Sequence, residues 1–286
     1  MVWTRGPGCA DLAALLSADE PIHAKGDLRT ACIAVGADLL VASSLTSFDL
    51  VPTVVPHHVD LGRARAVVAA VAGGPHSGLA ARVAGRVAAE LAIRGEVVSV
   101  SPDQEADRRA AEMLDSIGAE APDLDRRVLR AGSARAVLDG LGSDTLLVLG
   151  APGGSWLQRQ FFGPGKRLIG AAPDGVIVVR QAPGRCFQLM EAAEAVGPEL
   201  RVEDARRTLA VPTIPVVSDG RMIGILRVGD LDDTPGDATA GEVMEDSVSV
   251  YVDDLTDDLA DLHRFLDGGP IPVVRDDGRL VGWIPA

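Results

Sequence analysis

From residue 66 onward the apolar positions alternate between two rhythms. Ala66 to Ala72 is a continuous apolar run, the pattern of a strand buried on both faces. Leu79, Val83, Val87 and Leu91 then recur every four residues, the stripe of an amphipathic helix. Val97 to Val100 predicts a second strand. In Ser101-Pro102-Asp103-Gln104, Ser101 reads as an N-cap, Pro102 as the first helical residue and Gln104 as the capping-box partner. The helix that follows carries Ala106, Ala110, Met113, Leu114 and Ile117, and Gly118 ends it. Arg127 to Leu129 predicts a short strand, residues 133–141 a short helix and Thr145 to Leu149 the most apolar strand. Val176 to Val179 closes the unit at a sheet edge, where an apolar strand invites pairing with a second chain. Strands separated by helices of this length predict an α/β domain over residues 63–183 with a doubly wound parallel sheet.

The C-terminal third has a different pattern, and it occurs twice. Ile214-Pro215-Val216-Val217, the turn Ser218-Asp219-Gly220-Arg221 and Met222-Ile223-Gly224-Ile225 form one unit. Ile271-Pro272-Val273-Val274, the turn Arg275-Asp276-Asp277-Gly278-Arg279 and Leu280-Val281-Gly282-Trp283-Ile284 repeat it 57 residues later. Each copy reads as two apolar strands joined by an Asp-Gly turn. A helix over Glu203 to Ala210 precedes the first, and Leu255, Leu259, Leu262 and Leu266 mark a helical face before the second. Residues 184–286 thus form one pseudo-symmetric α+β domain.

Charge separates the two parts. The 286 residues carry a formal net charge of −14. Residues 184–286 hold 9 basic and 21 acidic side chains, net −12, against −2 for residues 1–183. That balance argues against a nucleic-acid partner. No apolar stretch approaches the roughly 20 residues that span a bilayer. Three isolated cysteines, Cys9, Cys32 and Cys186, build neither a disulfide framework nor a zinc knuckle and read as reduced thiols. Asp11 and Asp19 flank the first apolar run, unlike a signal peptide, so a cytoplasmic protein is expected.

Ligands of doubly wound sheets sit beyond the carboxyl ends of the strands, at the switch point. Two glycine-rich loops fall there. Gly73-Gly74-Pro75-His76-Ser77 follows the first strand. Gly150-Ala151-Pro152-Gly153 follows the strand ending at Leu149 and leads to Gly163-Pro164-Gly165-Lys166. Glycine lets backbone approach a phosphate closely, and Lys166 adds a point charge. The candidate nucleotide-binding set is therefore Gly73, Gly74, Gly150, Gly153, Gly163, Gly165 and Lys166. Neither a P-loop nor a GxGxxG fingerprint is present.

The Gly150, Gly153 and Gly163 spacing, with the segment APDGVIVVR, resembles a universal stress protein domain over residues 65–182. The resemblance implies an adenine nucleotide α hydrolase-like sheet and ATP as ligand. Pro164 stands where that family usually has a Ser or Thr on phosphate, and Ala72 where it usually has an Asp. Residues 1–62 echo the domain at an offset of 106: Gly26, Arg29, Gly36, Asp38 and Leu40 match Gly132, Arg135, Gly142, Asp144 and Leu146. They read as a degenerate half-copy, with Ser44 in place of Gly150 and Val51 to Val55 as its closing strand. Residues 186–286, through IPVVSDGRMIGILRVGDL, AGEVMEDSVSVYVDD and IPVVRDDGRLVGWI, resemble a tandem pair of cystathionine β-synthase (CBS) domains. That resemblance implies AMP or ADP in the cleft between copies and self-association as a homodimer. Asp230 matches the family's ribose-binding Asp, and Arg227 stands where a hydroxyl residue is usual. Arg201, Arg206, Arg207, Arg221 and Arg227 all lie in the first copy, which places any phosphate on that side.

The remaining candidates read as structural. His57-His58 lacks further ligands for a metal, and His76 lies near a helix N-terminus. Asp253, Asp254, Asp257, Asp258 and Asp261, at helical spacing, form a solvated face. Trp156, Phe161 and Phe162 are read as packing against the sheet or covering a ligand. No nucleophile, base and orienter set is legible, so no catalytic residue is assigned. The functional readings are a stress-response regulator sensing adenine nucleotides on behalf of an unknown protein partner, a ligand-free scaffold, and a weak ATPase.

Overall fold

The computed structural model describes residues 1–286 except 46–47, 102, 132–133, 143, 152–171 and 173. The chain divides into two compact units, Met1–Ala182 and Pro183–Ala286. No helix among the described residues is long and apolar enough to cross a membrane.

The first unit begins with β1 (Val2–Trp3), α1 (Cys9–Leu16), β2 (Ile22–His23), α2 (Leu28–Ala34), β3 (Leu40–Val41) and β4 (Thr53–His57). It continues with β5 (Ala66–Val71), α3 (Pro75–Leu91), β6 (Arg94–Ser101), α4 (Gln104–Gly118), β7 (Asp125–Arg130), α5 (Ala134–Leu141), β8 (Thr145–Gly150) and β9 (Val176–Arg180). Among the described residues these strands make one nine-stranded sheet in the order β2-β1-β3-β4-β9-β8-β5-β6-β7. Every pairing is parallel except β4 with β9, where Thr53 faces Arg180 and His57 faces Val176. Residues 1–62 therefore join the same sheet rather than standing apart. β9 lies inside the sheet, so the free edge expected at Val176–Val179 does not exist; β4 already uses its hydrogen-bonding groups. The edge on this side of the molecule is β7, whose Arg126, Arg127 and Arg130 blunt it against strand addition.

The apolar runs account for these elements. β8 is buried throughout and β5 from Val67 onward, as parallel strands covered on both faces must be. Leu79, Val83 and Val87 of α3 pack on Val67, Ala69, Leu146 and Val148, together with Leu12 of α1. Each such side chain contributes roughly 1.5–3 kcal/mol through burial. α4 starts later than its sequence implies. Asp103 is its N-cap, the carboxylate accepting from the Ala106 N–H at 3.0 Å. Ser101 ends β6 and donates to the Asp103 carbonyl at 2.6 Å. The carboxylate also gains from the positive end of the helix dipole. α3 ends at Ala92, whose φ of 52° lies in the left-handed region.

The second unit contains α6 (Val202–Thr208), β10 (Thr213–Ser218), β11 (Arg221–Arg227), a 3-10 turn over Val228–Asp233 and α7 (Ala240–Val243). It ends with β12 (Val250–Tyr251), α8 (Leu259–Phe265), β13 (Ile271–Val274) and β14 (Leu280–Ile284). Both hairpins form. Asp219 and Gly220 have φ of 51° and 77°, the type I′ turn that follows strand twist. α8 is shorter than the leucine spacing implies: Leu255 precedes it and is exposed, while Leu266 caps it and is fully buried.

The repeats complete each other. The Glu191 backbone, ahead of the first hairpin, exchanges hydrogen bonds of 2.8 and 3.0 Å with Trp283 on β14. Glu245, ahead of the second, exchanges bonds of 2.9 and 3.1 Å with Ile225 on β11. Each crossing passes over a glycine. A Cβ on Gly224 would sit 2.6 Å from the Glu245 carbonyl, and one on Gly282 would sit 2.5 Å from that of Glu191. The Met190-Glu191 and Met244-Glu245 pairs mark the two crossings in the sequence.

Two stability changes follow. Gly224→Ala forces the crossing strand away and costs about 1–3 kcal/mol, read as a lower denaturation midpoint. Ala92→Gly relieves the left-handed C-cap of α3 and adds about 1 kcal/mol, read as a higher midpoint in the same titration.

Candidate functional site

Two places bring candidate residues together. The first is the carboxyl end of the α/β sheet. The parallel β5–β8 register, with Ala70 opposite Leu149, sets the turn after β5 beside Gly150. Gly73 and Gly74 both have φ of 83°, a conformation open to glycine, and Gly74 is the N-cap of α3. A Cβ on Gly74 would meet nothing within 4 Å. The Ser77 hydroxyl donates to the Gly73 carbonyl at 2.9 Å and closes the turn. Nδ1 of His76 accepts the Gln181 N–H at 3.0 Å, which leaves the ring proton on Nε2. Burial, and secondarily Arg180, hold the His76 pKa below the usual imidazole range, so the ring is neutral at pH 7. His76 thereby ties α3 to the end of β9. Ala72 places no carboxylate at the end of β5. Gly153, Gly163, Pro164, Gly165, Lys166, Trp156, Phe161 and Phe162 lie outside the described residues.

The second place is a cleft of about 510 Å³ in the C-terminal unit, lined by Leu209–Pro212, Arg227–Asp230 and Asp267. The last rung of the first hairpin, Thr213 opposite Arg227, builds it by aligning Pro212 with Val228. The Val228 N–H donates to the Pro212 carbonyl at 2.9 Å. A Cβ added to Gly229 would meet nothing within 4 Å. Asp230 lies exposed in the 3-10 turn. One residue beyond Pro212, Thr213 is 2% exposed and its hydroxyl has no partner.

Arg227 is 15% exposed and bound on all sides by the second repeat. Its Nε donates to Glu245 at 2.9 Å, one Nη to Asp267 at 2.5 Å and the other to the Phe265 carbonyl at 3.1 Å. The guanidinium also lies over the Phe265 ring, 5.4 Å from its centroid. The Glu245 hydrogen bond, then that of Asp267, raises its pKa further. Among the other arginines of this repeat, Arg206 donates to the carbonyls of Leu231 and Thr234, and Arg207 pairs with Asp204. Arg227 and Asp230 both line the cleft, with Asp267; neither Glu245 nor Asp267 stands out in the sequence. The only signal for Glu245 was the recurring Met-Glu pair.

Other candidates fall into structural roles. Asp253, Asp254, Asp257 and Asp258 precede α8, and only Asp261 lies on it, so they do not share a helix face. Asp254 accepts the Tyr251 N–H at 2.7 Å, and Asp261 pairs with Arg264. His57 belongs to the β4–β9 ladder; burial, then His58, lowers its pKa. Among the described residues no group of His, Cys, Asp and Glu could hold a metal. All three cysteines are buried and free. Burial pushes Cys32 and Cys186 up to about 11, which leaves them unreactive.

Comparison with solved structures finds similarity over about a third of the chain. The soluble part of a magnesium transporter shares 22% identity over 36% of this chain, with a TM-score of 0.32. The chain spans only 44% of that structure. The CBS domains of a transcriptional regulator from Streptococcus pneumoniae share 19% over 36% of this chain and 92% of theirs, TM-score 0.32. CBSX2 in complex with AMP shares 25% over 35% of this chain and 89% of its own, TM-score 0.31. Scores of this size carry no argument of their own. No curated protein matches. The model of the CBS domain family matches residues 189–234, the segment that contains Arg227, Gly229 and Asp230.

Proposed function

We propose that this chain is a non-enzymatic regulatory protein whose C-terminal unit senses an adenosine-containing ligand, the class that includes the adenine nucleotides. The observation that carries the reading is the cleft of about 510 Å³ whose lining, apart from Asp267, lies in the segment matching the CBS domain family. Its lining suits the adenosine end of such a ligand. Leu209, Val211, Pro212 and Val228 offer apolar surface to a base, and Asp230 offers an acceptor to ribose hydroxyls. Open space at Gly229 supports a small occupant. The ligand acts as a signal in the cytoplasm, and the regulated partner reads the resulting state.

The α/β unit carries a second, universal-stress-protein-like site for ATP in the same proposal. Its support is the adjacency of Gly73, Gly74 and Gly150 at the β5–β8 switch point. Residues 1–62 serve as a degenerate packing copy, supported by a strand order that runs outward alike from the β4–β9 pair. Self-association as a homodimer is assigned to the C-terminal unit, where Leu189, Ile223, Tyr251, Leu255 and Phe265 are exposed.

Calorimetry on the full chain with adenosine, AMP and ATP tests the cleft. At least one probe should bind, and Gly229→Val, which fills open space without a clash, should weaken it at least about tenfold. Binding unaffected by the variant would place the ligand elsewhere, and ATP binding that alone persists would assign it to the α/β unit. Light scattering at micromolar concentration should give twice the chain mass; a monomer would remove the dimer from the proposal.

A further inference from the structure

The charge around Arg227 decides what kind of adenosine compound the cleft can take. Arg227 belongs to the first repeat, and Glu245 and Asp267 to the second, so the contact bridges the two copies. All three guanidinium nitrogens have acceptors, and the ring of Phe265 covers one face. A phosphate can reach this cation only by displacing a carboxylate or by sharing the guanidinium with one. Either outcome leaves a carboxylate beside a phosphate that carries one or two negative charges.

The net charge points the same way. Arg227 contributes +1 against −3 from Glu245, Asp267 and Asp230, a balance of −2 around the mouth of the cleft. Arg206 keeps its charge, but its donors are engaged by the Leu231 and Thr234 carbonyls of the 3-10 turn. Over the whole unit the field is negative as well, net −12 across residues 184–286. The apolar wall of Leu209–Pro212 and Val228 is indifferent to ligand charge and serves the base in every case.

Resting on the cleft reading above, we propose that the Glu245–Arg227–Asp267 bridge is a specificity filter. It makes the cleft select adenosyl compounds without phosphate, a neutral nucleoside or a cationic sulfonium, over adenine nucleotides. Arg227 is then a positioning residue that joins the repeats, and the phosphate role its place in the sequence suggests is blocked by two carboxylates. Asp230 and the apolar wall do the binding.

Calorimetry on the full chain with adenosine, S-adenosylmethionine, AMP and ATP provides the test. At the cleft, identified by the binding that Gly229→Val weakens, adenosine and S-adenosylmethionine should each bind at least about tenfold more tightly than AMP, with ATP weakest there. The double variant Glu245→Gln, Asp267→Asn keeps acceptor oxygens for Arg227 while removing both charges. It should shift the AMP-to-adenosine affinity ratio at least about tenfold toward AMP, with a thermal melt confirming the fold. AMP binding more tightly than adenosine in the unaltered protein, or a ratio unmoved in the double variant, would overturn the filter and leave the cleft reading standing. No binding by any probe would overturn the cleft reading and the filter with it.

Discussion

The exchange of leader segments between the two C-terminal repeats is the constraint on which the rest of that unit depends. Neither hairpin is complete without the backbone that precedes the other copy, and each crossing requires a residue without a side chain beneath it. Gly224 and Gly282 meet that requirement at equivalent places. The consequence reaches beyond packing. Bringing Glu245 across β11 also sets its carboxylate on Arg227, two residues further along the strand. The backbone geometry that joins the repeats therefore also determines the charge at the mouth of the cleft.

A comparable economy organises the α/β unit. β9 is fully apolar over Val176–Val179 and would be an aggregation-prone edge if left open. The chain covers it with its own β4, in the one antiparallel pairing of an otherwise parallel sheet. The outer edge at β7 is protected differently, by arginines paired to Glu96, Asp107 and Asp115. Among the described residues, the exposed Gly73-Gly74 turn lies at the carboxyl end of β5, beside the end of β8. There Gly73 and Gly74 adopt a conformation that keeps side chains out of the way.

The two units thus present different chemistry to a small ligand. At the sheet switch point, the glycine turn and the N-terminus of α3 present backbone N–H groups. In the C-terminal cleft, an apolar wall ends in carboxylates and a cation that already has partners, which favours a ligand whose polar end is neutral or positive.

Much of this was legible along the chain. The shift between continuous apolar runs and four-residue stripes determined the order of strands and helices from residue 66 to 180, because buried parallel strands and amphipathic helices leave unlike periods. The Asp-Gly turns and the 57-residue repeat determined the two hairpins, since both depend on local backbone conformation. The family resemblance singled out Arg227 and Asp230 after the second strand, and both line one cleft. What the sequence left open were matters of long-range pairing. That β4 covers β9 and that Glu245 and Asp267 close on Arg227 depend on groups brought together by the fold, whereas Asp103 rather than Ser101 caps α4 through a local contact with Ala106, Ser101 being the last residue of β6. Hydrogen-bonding groups along a strand are the same whether it lies at an edge or inside. An arginine likewise gives no sign of which acids will reach it. Only the tertiary structure decided those partners, and with them the charge of the site.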